Sequence, residues 1–129
     1  MSEFEQKKGE LKDARDKLLT FHKILIDRER KEMERMSGAV TAGQFLGLLM
    51  NDERFQWLRT ISKLVVRIDE AFELDDGIPP EMVHNFRLEI ASMFDDSESE
   101  SEFKVLVRER MEKLPEADLL RQEIRALSE

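Results

Sequence analysis

Residues 51–72, NDERFQWLRTISKLVVRIDEAF, place Phe55, Trp57, Leu58, Ile61, Leu64, Val65, Ile68 and Phe72 in one helical register. At about 100° per residue, Phe55, Leu58, Val65, Ile68 and Phe72 form one stripe, while Trp57, Ile61 and Leu64 widen it sideways. A face this wide needs more than one neighbour to cover it, so the segment reads as the central helix of a bundle. The direct check is Trp57, which should be buried; an exposed Trp57, or one lining an open cavity, would instead anchor an interaction or a ligand.

The rest of the chain supplies the neighbours. From Glu10 to about Met36, apolar residues at Leu11, Ala14, Leu18, Phe21 and Leu25, then Met33 and Met36, predict a long amphipathic helix. Its distal part, DRERKEMERM, offers opposite charges at helical spacing, Asp27 with Lys31 and Glu32 with Arg35, and is expected to project or stay solvated. Gly38 breaks the pattern, and Thr41 with Gln44 reads as a capping box opening a short helix over 42–50. Phe45, Leu46, Leu48 and Leu49 leave that helix little polar face, and Gly43 and Gly47 would let another backbone approach, so it should be largely buried. Asn51 or Asp52 then caps the central helix.

Asp75, Asp76 and Gly77 end the central helix, and Pro79 and Pro80 lead into a fourth over about 81–94, with Met82, Phe86, Ile90, Met93 and Phe94 as its stripe and Val83 at the edge. The acidic run 95–102, DDSESESE, reads as a loop whose Ser99-x-x-Glu102 caps a fifth helix bearing Phe103, Leu106, Val107, Met111 and Leu114. Pro115 kinks or divides that helix before Leu119, Leu120, Ile124 and Leu127 resume the pattern. With no internal repeat and no strand-like alternation, the fold class is all-α: a single-domain bundle of five to six helices around a central helix at about 52–74. That domain covers 1–129, with about 1–9 expected to be disordered.

Composition removes most chemistry before geometry is considered. There is no cysteine or tyrosine, and His22 and His84 are the only imidazoles, so thiolate, disulfide, triad and histidine-rich metal chemistry have no residues to work with. An enzyme is not expected, and no catalytic, cofactor-binding or metal-ligating set is assigned. The longest uncharged run, Met36 to Asn51, contains three glycines and falls short of the roughly 20 apolar residues of a membrane span. The start, MSEFEQKKGELKD, lacks the basic and apolar regions of a secretory signal, which favours a cytoplasmic location. The net charge of −8 comes from one region: residues 69–102 carry twelve acidic groups against one basic group, Arg87. Such a segment repels nucleic acid and anionic membranes and suits a basic protein partner.

The candidate sites each have a structural explanation beside a functional one. Glu81-x-x-His84 can face one ion, but ferritin-like carboxylate sites need two such pairs and this chain has one. His22, between Leu18 and Leu25, sits at the core face of helix one and reads as a hydrogen-bonded core histidine whose shifts stay flat from mildly acidic to neutral pH, rather than a switch or ligand. Asp69, four after Val65 and three before Phe72, borders apolar surface and reads as half of an ion pair with Arg59, Lys63, Arg67 or an arginine of helix one. Glu70 points elsewhere and makes no dyad with it. Ser97, Ser99 and Ser101 lie among acids that could suit phosphorylation, but the stronger reading is a structural, solvated loop.

Phe21-His22-Lys23, Asp27-Arg28-Glu29-Arg30, Phe55-x-Trp57-Leu58-Arg59 and Ile68-Asp69-Glu70 resemble pieces of a group of bacterial all-helical proteins with no known activity. The resemblance covers about the first half of the chain, implies a small bacterial cytoplasmic protein and carries over no functional residue. The functional expectation is a non-enzymatic interaction or regulatory module that binds a protein partner or itself, as a homodimer, without a cofactor. The alternative is a small-ligand or metal-binding bundle with an interhelical pocket near Trp57, His22 or His84.

Overall fold

Helix α1 runs from Glu3 to Ser37 in the computed structural model, which describes residues 2–95 and 101–128. It starts well before Glu10, so residues 3–9, expected to be disordered, are helical. The reason lies in local capping. The Ser2 hydroxyl accepts from the Glu5 backbone N–H at 3.1 Å, Lys7 pairs with Glu3 at 3.0 Å, and Phe4 packs against the core. Leu11, Ala14, Leu18, Phe21 and Leu25 are buried along one stripe, which meets α6 (Pro115–Ser128), α3 (Gln56–Phe72) and α4 (Pro80–Phe94).

The distal half of α1 is less solvated than its composition suggests. Glu29 is 11% exposed in its side chain because Arg110 donates Nε to it at 2.6 Å and Arg28 donates at 3.3 Å. Glu32 and Arg35 pair as expected at 2.9 Å, whereas Asp27 pairs with Lys23 at 3.0 Å and not with Lys31. Beyond Met33 the helix does project, leaving Met36 exposed, and it ends at Gly38, whose φ of 85° suits glycine.

Thr41 and Gln44 form the expected reciprocal cap at 3.1 and 3.0 Å, opening α2 (Ala42–Asn51). The expected burial of α2 does not follow. Phe45 is its only buried residue, set against Phe55 with ring centroids 5.9 Å apart, while Leu46 and Met50 are exposed. Nothing approaches Gly43 or Gly47, where an added Cβ would meet open space. The physical reason is that α2 lies at the edge, packed chiefly on α3 and the turn before it, so one apolar stripe is covered and the others are not.

The wide apolar segment divides. Asp52 caps a single 3-10 turn, Glu53–Phe55, and α3 follows with Trp57, Leu58, Ile61, Leu64, Val65, Ile68 and Ala71 buried. Trp57 is 4% exposed, as expected, and Arg110 from α5 (Glu102–Met111) lies over its ring at 5.6 Å. Helix α3 touches α1, α2 and α5, which together account for its width. Gly77, at φ 80°, closes the turn before Pro79 and Pro80 start α4. Phe94 at the end of α4 meets Phe21 edge-on at 5.5 Å, tying α4 to α1. Pro115 divides the last segment, and α6 buries Ala117 and Ile124 against α1 and α4. The result is an all-helical single domain of six α-helices, with no strand among the described residues. No helix of the described residues is long and apolar enough to cross a membrane.

Candidate functional site

Three helices leave a groove between them because α2 covers only one end of the α1 and α3 pair. On α1 the wall is His22 and Ile26, one turn apart; on α3 it is Leu58, Arg59, Ser62 and Lys63; and Leu46, Leu49 and Met50 of α2 close the third side. The volume is about 460 Å³. A shallower extension continues along α3 past Ser62 and Lys63 to the exposed Val66. None of the nine residues lining the main groove is acidic, in a chain whose net charge is −8.

Arg59 is what fixes α2 in place. Its Nη1 donates to the carbonyls of Leu49 at 2.8 Å and Asp52 at 2.9 Å, satisfying carbonyls at the C-terminal end of α2. Among the described residues neither Arg59 nor Lys63 has a carboxylate within ion-pair distance, since the nearby Asp52 is engaged by Arg54 at 3.0 Å. The groove therefore combines an apolar floor with two cations, of which Arg59 is held by carbonyls and lies in the field of Asp52, while Lys63 has no ion pair among the described residues.

His22 is half-buried in the groove wall. Burial pushes its imidazole below the ordinary histidine range, and a hydrogen bond with the backbone of Leu58 only partly opposes this. The neutral ring is thus the resident form at neutral pH, in line with a structural histidine.

The other sequence candidates are scattered. Glu81 and His84 are exposed on the first turns of α4, far in sequence from other ligands, and no group of three or more His, Asp or Glu side chains among the described residues could hold a metal ion. Trp57 is in the core and does not line the groove. Asp69 accepts from Arg15 of α1 through both oxygens, at 2.7 and 2.8 Å, and this guanidinium holds its carboxyl below the usual range. Glu70 takes no part in that pair and lines the shallow extension beside Val66. Ser97 and Ser99 lie outside the described residues. Ser101 caps α5, accepting from the Lys104 N–H at 3.3 Å, so the cap falls two residues beyond Ser99.

A second groove, of about 340 Å³, lies between α4, α5 and α6. Charges of both signs line it: Lys104 pairs with Asp95 at 2.6 Å and Arg121 with Asp118 at 2.9 Å, and Arg108 and Glu112 lie beside them. Of the three places expected for an interhelical pocket, Trp57, His22 and His84, the first groove lies at His22; its cationic, acid-free lining was not legible in the chain. Arg59 and Lys63 were expected as candidate partners of Asp69, which pairs with Arg15 instead, and Leu46 was expected to be buried.

Comparison with protein-family models, with curated proteins and with solved structures finds no match.

Proposed function

We propose that this protein is a non-enzymatic interaction or regulatory module that receives a protein partner at the groove formed by α1, α2 and α3. One observation carries the reading. Helix α2 has no charged residue in AGQFLGLLMN, yet Phe45 is its only buried side chain. Leu46 is 56% exposed and Met50 63% exposed, and Val66 of α3 adds a third apolar side chain to the same side of the molecule. Apolar side chains collected around a groove are more useful to a partner than to the free chain, because solvated apolar area contributes nothing to folding.

The test is photo-crosslinking in cells that make the full chain. A photoreactive residue at Met50 should give discrete protein adducts, and one at Ser92, exposed on α4, should not. Adducts at neither position, or equally at both, would count against a docking role for the groove. Size-exclusion chromatography with light scattering then separates a homodimer from a different partner. The small-ligand reading has the volume of the groove in its favour, with His22 rather than Trp57 or His84 as its reporter. A metabolite screen followed through the His22 imidazole resonances tests it, and a saturable shift by a small molecule would favour that reading.

A further inference from the structure

We infer that the groove is built for an acidic amphipathic helix of a partner protein, its apolar face seated against Leu46, Met50 and Ile26 and its carboxylates placed against Lys63 and Arg59. The inference rests on the docking role proposed above and names the partner chemistry.

Shape supplies the first argument. From Leu58 to Val66 the groove and its extension follow about two turns of α3, roughly 12 Å at 1.5 Å per residue. An amphipathic helix presents anchors at i, i+4 and i+7 over about the same length, which is how helices commonly occupy grooves between other helices. The apolar contacts lie on both sides of the groove. Leu46 and Met50 are four apart on α2, and Leu19, 40% exposed, continues the α1 stripe through His22 to Ile26.

Charge supplies the second argument. The main groove has two permanent cations, Arg59 and Lys63, and no acid, and neither cation is in an ion pair among the described residues; the extension adds Glu70 and Arg67, the latter paired with Glu89. An incoming Glu or Asp gains an ion pair without displacing an existing one. A basic helix would meet Lys63 with like charge, which costs affinity at a docking surface. The same reasoning disfavours a second copy docked groove to groove, because a two-fold contact brings the Lys63 and Arg59 cations of both copies together. It also reverses the expectation drawn from net charge alone, which favoured a basic partner.

The test uses the full chain and two labelled peptides of about four helical turns, with leucines at i, i+4 and i+7 and either Glu or Lys flanking them. Amide resonances of Gly47, Ser62 and Lys63 report the site, and fluorescence anisotropy gives affinity. The expected result is saturable binding of the Glu peptide at those amides, about tenfold or more tighter than the Lys peptide. Lys63→Gln should reduce the preference, and Lys63→Glu should abolish it, since Arg59 remains in the groove. Leu46→Asp should weaken the Glu peptide about tenfold with the circular dichroism of the fold intact. Equal or tighter binding of the Lys peptide at the same amides overturns the charge assignment and leaves the docking role standing. No perturbation by either peptide overturns the helix-in-groove inference, while groove adducts in the crosslinking experiment would still support a partner of another kind. Saturable shifts by decanoate with neither peptide bound overturn both in favour of a small apolar anion.

Discussion

Asp69 shows how one side chain can look like a site and act as a joint. Bordering the apolar face of α3, it meets Arg15 of α1 with both oxygens, so the pair fixes the register of two helices. With the Asp69 side chain 42% exposed, solvent screens the pair, and Asp69→Asn should cost about 1 kcal/mol or less near neutral pH. The sign with pH follows from the depressed carboxyl. The contribution is present above the ordinary carboxylate pKa of about 4 and is lost as pH falls through the lower folded value. Urea titrations of the parent and Asp69→Asn at several pH values should therefore converge in acid. An undiminished difference at low pH would mean that packing, not charge, carries the effect. His22 behaves in the related way for a base held neutral. Its folded pKa is lowered, so stability is fully present above about 6.5 and declines as pH falls below that value toward the folded pKa. His22→Leu should flatten that decline, and the imidazole resonances of the parent should begin to move only below the usual histidine range.

At the scale of elements, α2 departs furthest from expectation, and glycine is where this can be measured. Gly47 lies in the middle of a helix with open space where a Cβ would be. Gly47→Ala should stabilise the protein by about 0.5–1 kcal/mol by removing freedom from the unfolded chain without creating a clash. Had Gly47 marked a close helix contact, the same change would destabilise, so a shift in the urea midpoint decides between the two. The cap of α2 was readable residue by residue. Thr41→Ala removes the acceptor for the Gln44 N–H and should cost about 1 kcal/mol, since the side chain satisfies a helix-end donor by local geometry alone. The Thr41 cap was legible because it depends on residues three apart, and the division at Pro115 because proline lacks the helix N–H and its ring clashes with the preceding turn; the Ser2 and Ser101 caps were not expected. Burial of α2 was not, because an apolar run states what a helix could cover, not how many neighbours arrive to cover it.

For the whole molecule, α1 and α3 share the centre, and α6 closes over α1 and α4. Ile124 of α6 is fully buried, so Ile124→Ala should cost about 2–5 kcal/mol in a cooperative unfolding transition. A loss below about 1 kcal/mol would show that α6 is not integral to the core. The amino-acid sequence by itself determined the all-helical class, the order of the helices and most of their apolar stripes, including the burial of Trp57, because a period of 3.6 residues and proline breaks are local properties of the chain. The first turns of α1 and the exposed side of α2 were the exceptions. Tertiary structure alone decided which surplus apolar surface stays uncovered and which cations stay unpaired. Arg15 finds Asp69 across 54 residues and Arg110 finds Glu29 across 81, whereas Arg59 and Lys63 are left beside Leu46 and Met50. Those outcomes depend on which faces meet when the helices pack, a long-range condition that no spacing along the chain encodes.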